Sequence, residues 1–181
     1  MTFDEAQKDM NHAYFGGAAG VLASGVVWSI AGIIAFFYTN QASMLALFFG
    51  GMFIHPLGML IAKALKRPGN HCPENPLGKL ALEGTFLLFV GLFIAFYVAQ
   101  HQAEWFYPIM LTIIGARYLT FQTLYGSRIF WILGGALILA GAACIVFGAN
   151  FETGALIGGA TEIIFSAIIF QKSKGTAPET A

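Results

Sequence analysis

The chain has 181 residues; 57% are apolar, only 10% are Asp, Glu, Lys or Arg, and the formal net charge is zero. A soluble domain carries about 25% charged residues, so there is too little polar side chain here to coat a water-exposed surface. Zero net charge and the lack of any basic groove exclude nucleic acid as a partner.

The first element predicted is a short amphipathic helix within residues 1–14. Thr2 and Glu5 form a capping-box pattern, and Phe3, Ala6, Met10, Ala13 and Tyr14 recur at helical spacing. Such a helix is expected to lie on the cytoplasmic interface. Its acidic start (Asp4, Glu5, Asp9) is unlike a signal peptide.

Six apolar stretches follow within residues 15–171: about 15–39, 42–65, 78–99, 105–125, 128–149 and 154–171. Each has about the 20 residues that cross about 30 Å of hydrocarbon. The runs are unbroken, whereas barrel strands alternate, so the fold class is all-α: a compact bundle of six transmembrane helices. Lys8, Lys63, Lys66, Arg67, Lys79, Arg128, Lys172 and Lys174 all fall on one side of this zigzag, and Arg117 alone lies within a span. Cationic loops stay cytoplasmic, so both termini are expected inside a cell membrane.

The connections at 40–41, 100–104 and 150–153 are short, which makes consecutive spans antiparallel hairpins. The one sizeable connection, Lys66–Leu77, is broken by Pro68, Pro73 and Pro76. Tyr118, Gln122 and Tyr125 of the fourth span are expected to meet its polar groups, or else to line a cytoplasmic vestibule. Residues 172–181 read as a disordered cytoplasmic tail. Small residues form ridges that let helices approach closely: Gly16, Gly20 and Ser24; Gly51, His55, Gly58 and Ala62; and Gly154, Gly158, Glu162 and Ser166.

Four ionisable residues lie within spans: His55, Glu83, Arg117 and Glu162. A rise of 1.5 Å per residue puts Arg117, Glu162 and His55 in one layer, about 12–15 Å from the cytoplasmic ends of their spans, and Glu83 at about 8 Å. A charge at the bilayer centre costs about 2.5–3.5 kcal/mol, so such groups face protein and pair. An Arg117–Glu162 ion pair is expected, or Arg117 bridging Glu162 and Glu83. Glu83 can instead pair with Lys79 one turn away. Pro56 is expected to kink the second span beside His55. This cluster is either a structural clamp or a path for a small polar solute or protons.

Cys72 and Cys144 are placed too far apart for a disulfide. His71, Cys72 and Glu74 lack the further ligands a zinc site needs, and no phosphate-binding loop, dinucleotide fingerprint or hydrolase triad is present. No metal, cofactor or catalytic residue is expected, and the protein is not expected to be an enzyme.

The segments Gly50–Gly69, Asn75–Phe86 and Gly115–Trp131 are similar to a family of small bacterial multi-span membrane proteins of unknown function. The resemblance covers most of residues 14–170. It implies a bacterial inner-membrane protein and carries over no functional residue. The reading that results is a small transporter or channel-like protein for a polar solute or protons. The alternative is a non-transporting structural or accessory protein whose buried ion pair only sets helix packing. The partners left are the bilayer, an unidentified small solute and a second copy of the chain.

Overall fold

A computed structural model describes residues 1–174. Its first helix, α1 (Phe3–Tyr14), opens with the complete capping box that Thr2 and Glu5 encode. The Thr2 N–H donates to the Glu5 carboxylate at 2.7 Å, and the Glu5 N–H donates to Thr2 Oγ1 at 3.3 Å. The apolar face of α1 meets protein rather than lipid. Ala6, Met10 and Ala13 are buried, the first two against Leu77 and Leu124. Gln7 Nε2 donates to the Thr123 carbonyl at 2.8 Å and Asn11 Nδ2 to that of Tyr125 at 2.9 Å. The helix expected at the interface is thus a lid docked across one end of the bundle.

The bonds to Thr2 hold the Glu5 carboxyl below its usual range. A carboxyl lowered in this way stabilises the fold above its unfolded value, and the effect fades as pH falls through the folded one. Amide exchange in the first turn of α1 is therefore expected to accelerate, beyond its intrinsic pH dependence, as pH drops through the carboxylate range. Glu5→Gln keeps the cap without titrating and should lack this acceleration. If wild type and Glu5→Gln respond alike, the box is not formed.

A sharp corner follows α1. Phe15, Gly16 and Gly17 all have positive φ, at 57°, 62° and 86°. Glycine adopts this freely, but a phenylalanine does not. Phe15 is held there by stacking on Phe170 at 4.6 Å and by the Arg67 guanidinium 4.8 Å above its ring. The corner feeds α2 (Ala18–Phe37), so the first apolar run starts later than 15.

The remaining helices are α3 (Asn40–Ala64), α4 (Leu77–Ala99), α5 (Phe106–Tyr125), α6 (Ile129–Val146) and α7 (Phe151–Lys174). No strand occurs among the described residues. Five helical stretches are long and apolar enough to cross a membrane, and α5 is not among them. Its polar groups are enclosed instead: Tyr107 and Tyr118 are buried, and Tyr107 hydrogen-bonds Ser43 of α3. Pro56 sits inside an α3 that runs through it unbroken. At the other end of the chain, α7 continues through Lys174, past the expected end at 171. Lys172 Nζ reaches Ser127 Oγ at 3.2 Å, and basic side chains suit a helix C-terminus. The rest of the expected tail, residues 175–181, lies outside the described residues.

Two antiparallel pairs form the centre of the bundle, α2 with α7 and α5 with α6. Both cross on glycine. A Cβ on Gly159 would sit 2.8 Å from Ser29 N and 3.0 Å from Gly25 O. A Cβ on Gly115 would sit 2.7 Å from Gly134 O, and one on Gly134 would sit 2.6 Å from Gly115 O. Backbones this close pack by dispersion, the force that drives association in lipid. The ridge expected on the last span is found whole, with Gly154, Gly158, Glu162 and Ser166 all buried. Of the ridge expected on α3 only Gly58 and Ala62 are buried, Gly58 against Gly20 of α2. Gly51 and His55 stand at the open edge.

The outer members are α3, packed on α2, and α4, packed on α5. These two are consecutive in sequence, yet they form no packed hairpin. They are also the least buried of the spans. The connection between them is tied down by α1: Asn75 Nδ2 donates to the Ala6 carbonyl at 2.9 Å and to Asp9 at 2.7 Å, and Asp9 accepts from Cys72 N at 2.9 Å. The partners expected from α5 are not used for this, because Tyr118 is bonded elsewhere. A cleft is left between α3 and α4.

Candidate functional site

The cleft has two compartments that share Ile54, His55, Thr85 and Arg117. One, of about 130 Å³, lies between the mid-portions of α3 and α4. Its lining is apolar apart from His55, Thr85, Arg117 and the Trp28 indole. The other, of about 370 Å³, lies towards the lid and is more polar. Ser24, Tyr14, His71, Tyr118 and Tyr125 line it, with Met10 and Tyr14 of α1 as its roof. Among the described residues no aspartate or glutamate lines either compartment.

Arg117 stands at the waist between them. Its Nη2 donates to Thr85 Oγ1 at 3.3 Å, and its guanidinium lies 5.1 Å from the Phe121 ring centre. Thr85 can accept because its own proton goes to the Ala81 carbonyl at 3.0 Å. Gly84 on the same helix lies beside the arginine, where a Cβ would be in ordinary contact with Arg117 Nε at 3.5 Å. That Nε is buried and has no hydrogen-bond partner.

The expected Arg117–Glu162 ion pair is not formed among the described residues. Glu162 is fully buried on α7 and takes its hydrogen bond from the Tyr118 hydroxyl at 2.7 Å. Ser24 of α2 approaches the same pair. Its Oγ and Glu162 Oε2 are both buried without a hydrogen-bond partner. The cause is angular. Neighbouring residues on a helix point about 100° apart, so Tyr118 faces α7 while Arg117 faces α4.

Glu83 is a second correction. It is exposed, on the outer face of α4 with Leu82, Phe86 and Leu87, and pairs with neither Arg117 nor Lys79 among the described residues. The inward face of α4 carries Gly84, Thr85 and Leu88 instead. His55 is solvent-exposed by area but lines both compartments, and its ring centre is 6.3 Å from that of Tyr14. Tyr14 in turn hydrogen-bonds His71 Nδ1 at 2.8 Å, which joins the lid to the α3–α4 connection.

Thr85, Ser24, Tyr14 and His71 were not singled out in the sequence as site residues. A hydroxyl in an apolar helix usually bonds its own backbone, as Thr85 does, so its second role leaves no local signal. Cys72 and Glu74 sit outside the cleft. The Cys72 thiol donates to Glu74 at 2.8 Å, which raises its pKa and lowers that of Glu74, so the thiol stays protonated. Among the described residues no cluster of three or more His, Cys, Asp or Glu is placed to hold a metal ion.

The basic residues gather at the lid end. Lys8, Arg67 and Lys172 line one shallow pocket with Tyr125 and Gly126. The chemistry available in the cleft is therefore recognition by a half-buried cation, two imidazoles and phenol hydroxyls. No curated protein and no solved structure shows detectable similarity to the chain. With its long apolar helices the chain is an integral membrane protein, and it belongs to the family of unknown function DUF7010, which it matches over residues 3–172.

Proposed function

We propose that this protein is a small transporter that brings a polar solute to Arg117 through the cleft between α3 and α4. One observation carries the reading: a guanidinium at the waist of an open cleft touches only a neutral hydroxyl and a ring, and Glu162 acts on it through space without an ion pair. A buried charge without a counter-charge is costly, so it persists where a ligand or water supplies the missing partner. By the positive-inside rule the lid end faces the cytoplasm, with both termini inside. The bacterial inner membrane is the compartment this reading assigns. Binding and passage are proposed, without bond-making chemistry. The alternative structural reading has its own support, confined to Glu162: the Tyr118 bond pins α5 to α7, and Glu162 lines neither compartment.

Thr85→Cys in a chain without Cys72 and Cys144 tests this in sealed vesicles. A membrane-impermeant sulfonate thiol reagent is expected to modify it from the lid side. Arg117→Met should slow that anionic reagent more than a cationic one. If charged reagents never reach Thr85→Cys while apolar N-ethylmaleimide does, the cleft is dry and solute passage is refuted.

A further inference from the structure

The two compartments differ in chemistry, and their common wall is Arg117. On one side of it the lining is hydrocarbon: Leu47, Phe48, Leu88, Leu92 and Met110. On the other side are hydroxyls and imidazoles, and neither side offers a carboxylate. The cleft opens between helices whose outer faces are themselves apolar. Met52 and Phe89, both of which line the apolar compartment, are 50% and 38% exposed, and their neighbours Phe53 and Val90 are exposed too. Its mouth therefore gives onto acyl chains, and a molecule dissolved in the bilayer can enter sideways.

We propose that the cleft binds a single-chain amphiphile with an anionic head. The carbons nearest the head lie in the apolar compartment, and the rest of the chain runs out through its mouth among the lipid acyl chains. The head, a carboxylate or a phosphate monoester, rests on Arg117 at the waist. Among the described residues Arg117 Nε has no hydrogen-bond partner and Nη2 holds a threonine hydroxyl, so the fork has donors free for an oxyanion. His55 adds an N–H, since an imidazole carries at least one in any state above deprotonation. The missing carboxylates set the sign: a cationic amphiphile would meet repulsion and no acceptor charge. This rests on the cleft being an entry to Arg117, as proposed above, and names the class of molecule that enters.

The probe is palmitate carrying a diazirine in its chain, with the full-length protein in neutral phosphatidylcholine vesicles. Photolabelling is expected on Phe48, Leu88 or Leu92. Oleate and lysophosphatidate are the competing arms that tell a carboxylate head from a phosphate head, and competition by either supports the class. Oleylamine should not compete. Arg117→Gln should weaken labelling about tenfold, the least expected from losing a charge-assisted bond. Gly51 lines the apolar compartment with nothing within 4 Å of an added Cβ, so the side chain of Gly51→Phe starts in open space and takes up room there. It should abolish labelling even if Arg117→Gln fails to fold. Labelling that survives Gly51→Phe, or that oleylamine competes as well as oleate, overturns the proposal. If sulfonate reagent reaches Thr85→Cys but palmitate does not label, the substrate class falls and the cleft stands. If palmitate labels and the reagent is excluded, solute passage falls and the lipid site stands.

Discussion

Gly134→Ala is expected to destabilise the bundle by about 2–3 kcal/mol, near the upper part of the range for overpacking. The added methyl would sit 2.6 Å from the Gly115 carbonyl oxygen and 2.9 Å from Leu119 Cδ2. The carbonyl belongs to the backbone of a helix and cannot turn aside, so α5 and α6 must separate. Packing holds helices together in lipid, where no solvent drives them, and separation therefore loses contacts along the whole seam. Gly135 is the control. Nothing lies within 4 Å of its added Cβ, and alanine is the better helix former by about 1 kcal/mol. Unfolding in mixed micelles, followed by circular dichroism, should show Gly135→Ala unchanged or more stable and Gly134→Ala much weaker. Equal unfolding midpoints for the two would show that the α5–α6 crossing is not close.

The second large effect is expected at Tyr118. Tyr118→Phe removes the 2.7 Å hydrogen bond to Glu162, a fully buried acid whose other oxygen has no partner among the described residues. Orphaning such a group costs about 3 kcal/mol. Glu162→Met leaves a phenol hydroxyl unpartnered and costs about 1–3 kcal/mol. The double substitution removes both polar ends, so it should be more stable than the sum of the singles by about 2 kcal/mol. The same measurement separates the role of Glu162 from that of Arg117. Arg117→Met breaks no bond to a carboxylate and loses only a through-space attraction to Glu162, so its coupling with Glu162→Met should be weaker than that of Tyr118→Phe. Strong coupling between those two would restore the ion pair that the geometry denies.

Local signals were legible in the sequence. The Thr2–Glu5 cap depends on residues three apart, and it forms as written. The α7 ridge depends on helical period alone, and all four of its residues are buried. The matching level of Arg117 and Glu162 along their helices was legible too, because rise per residue is constant: Tyr118, next to Arg117, meets Glu162. Direction was not. Charge complementarity says that an arginine wants an acid, but the turn of the helix between Arg117 and Tyr118 decides which neighbour each can reach. The cleft was hidden for a related reason. Hairpin packing is imposed by a short connection, and Lys66–Leu77 is long enough to hold α3 and α4 apart. What holds it is Asp9 and the Ala6 carbonyl, from a helix read on its own pattern as a companion of the lipid surface.

The pairing of α2 with α7 sets the order of assembly. During synthesis the first span emerges with its best glycine face still without a counterpart, because Gly25 meets Gly159 only after the last span has left the ribosome. The lid waits almost as long, since Gln7 needs the Thr123 carbonyl. Intermediate lengths of chain must therefore hold an unmated helix in the bilayer. A nascent chain arrested before α7 should be a ready target for membrane quality-control proteases, whereas one released with α7 should resist them.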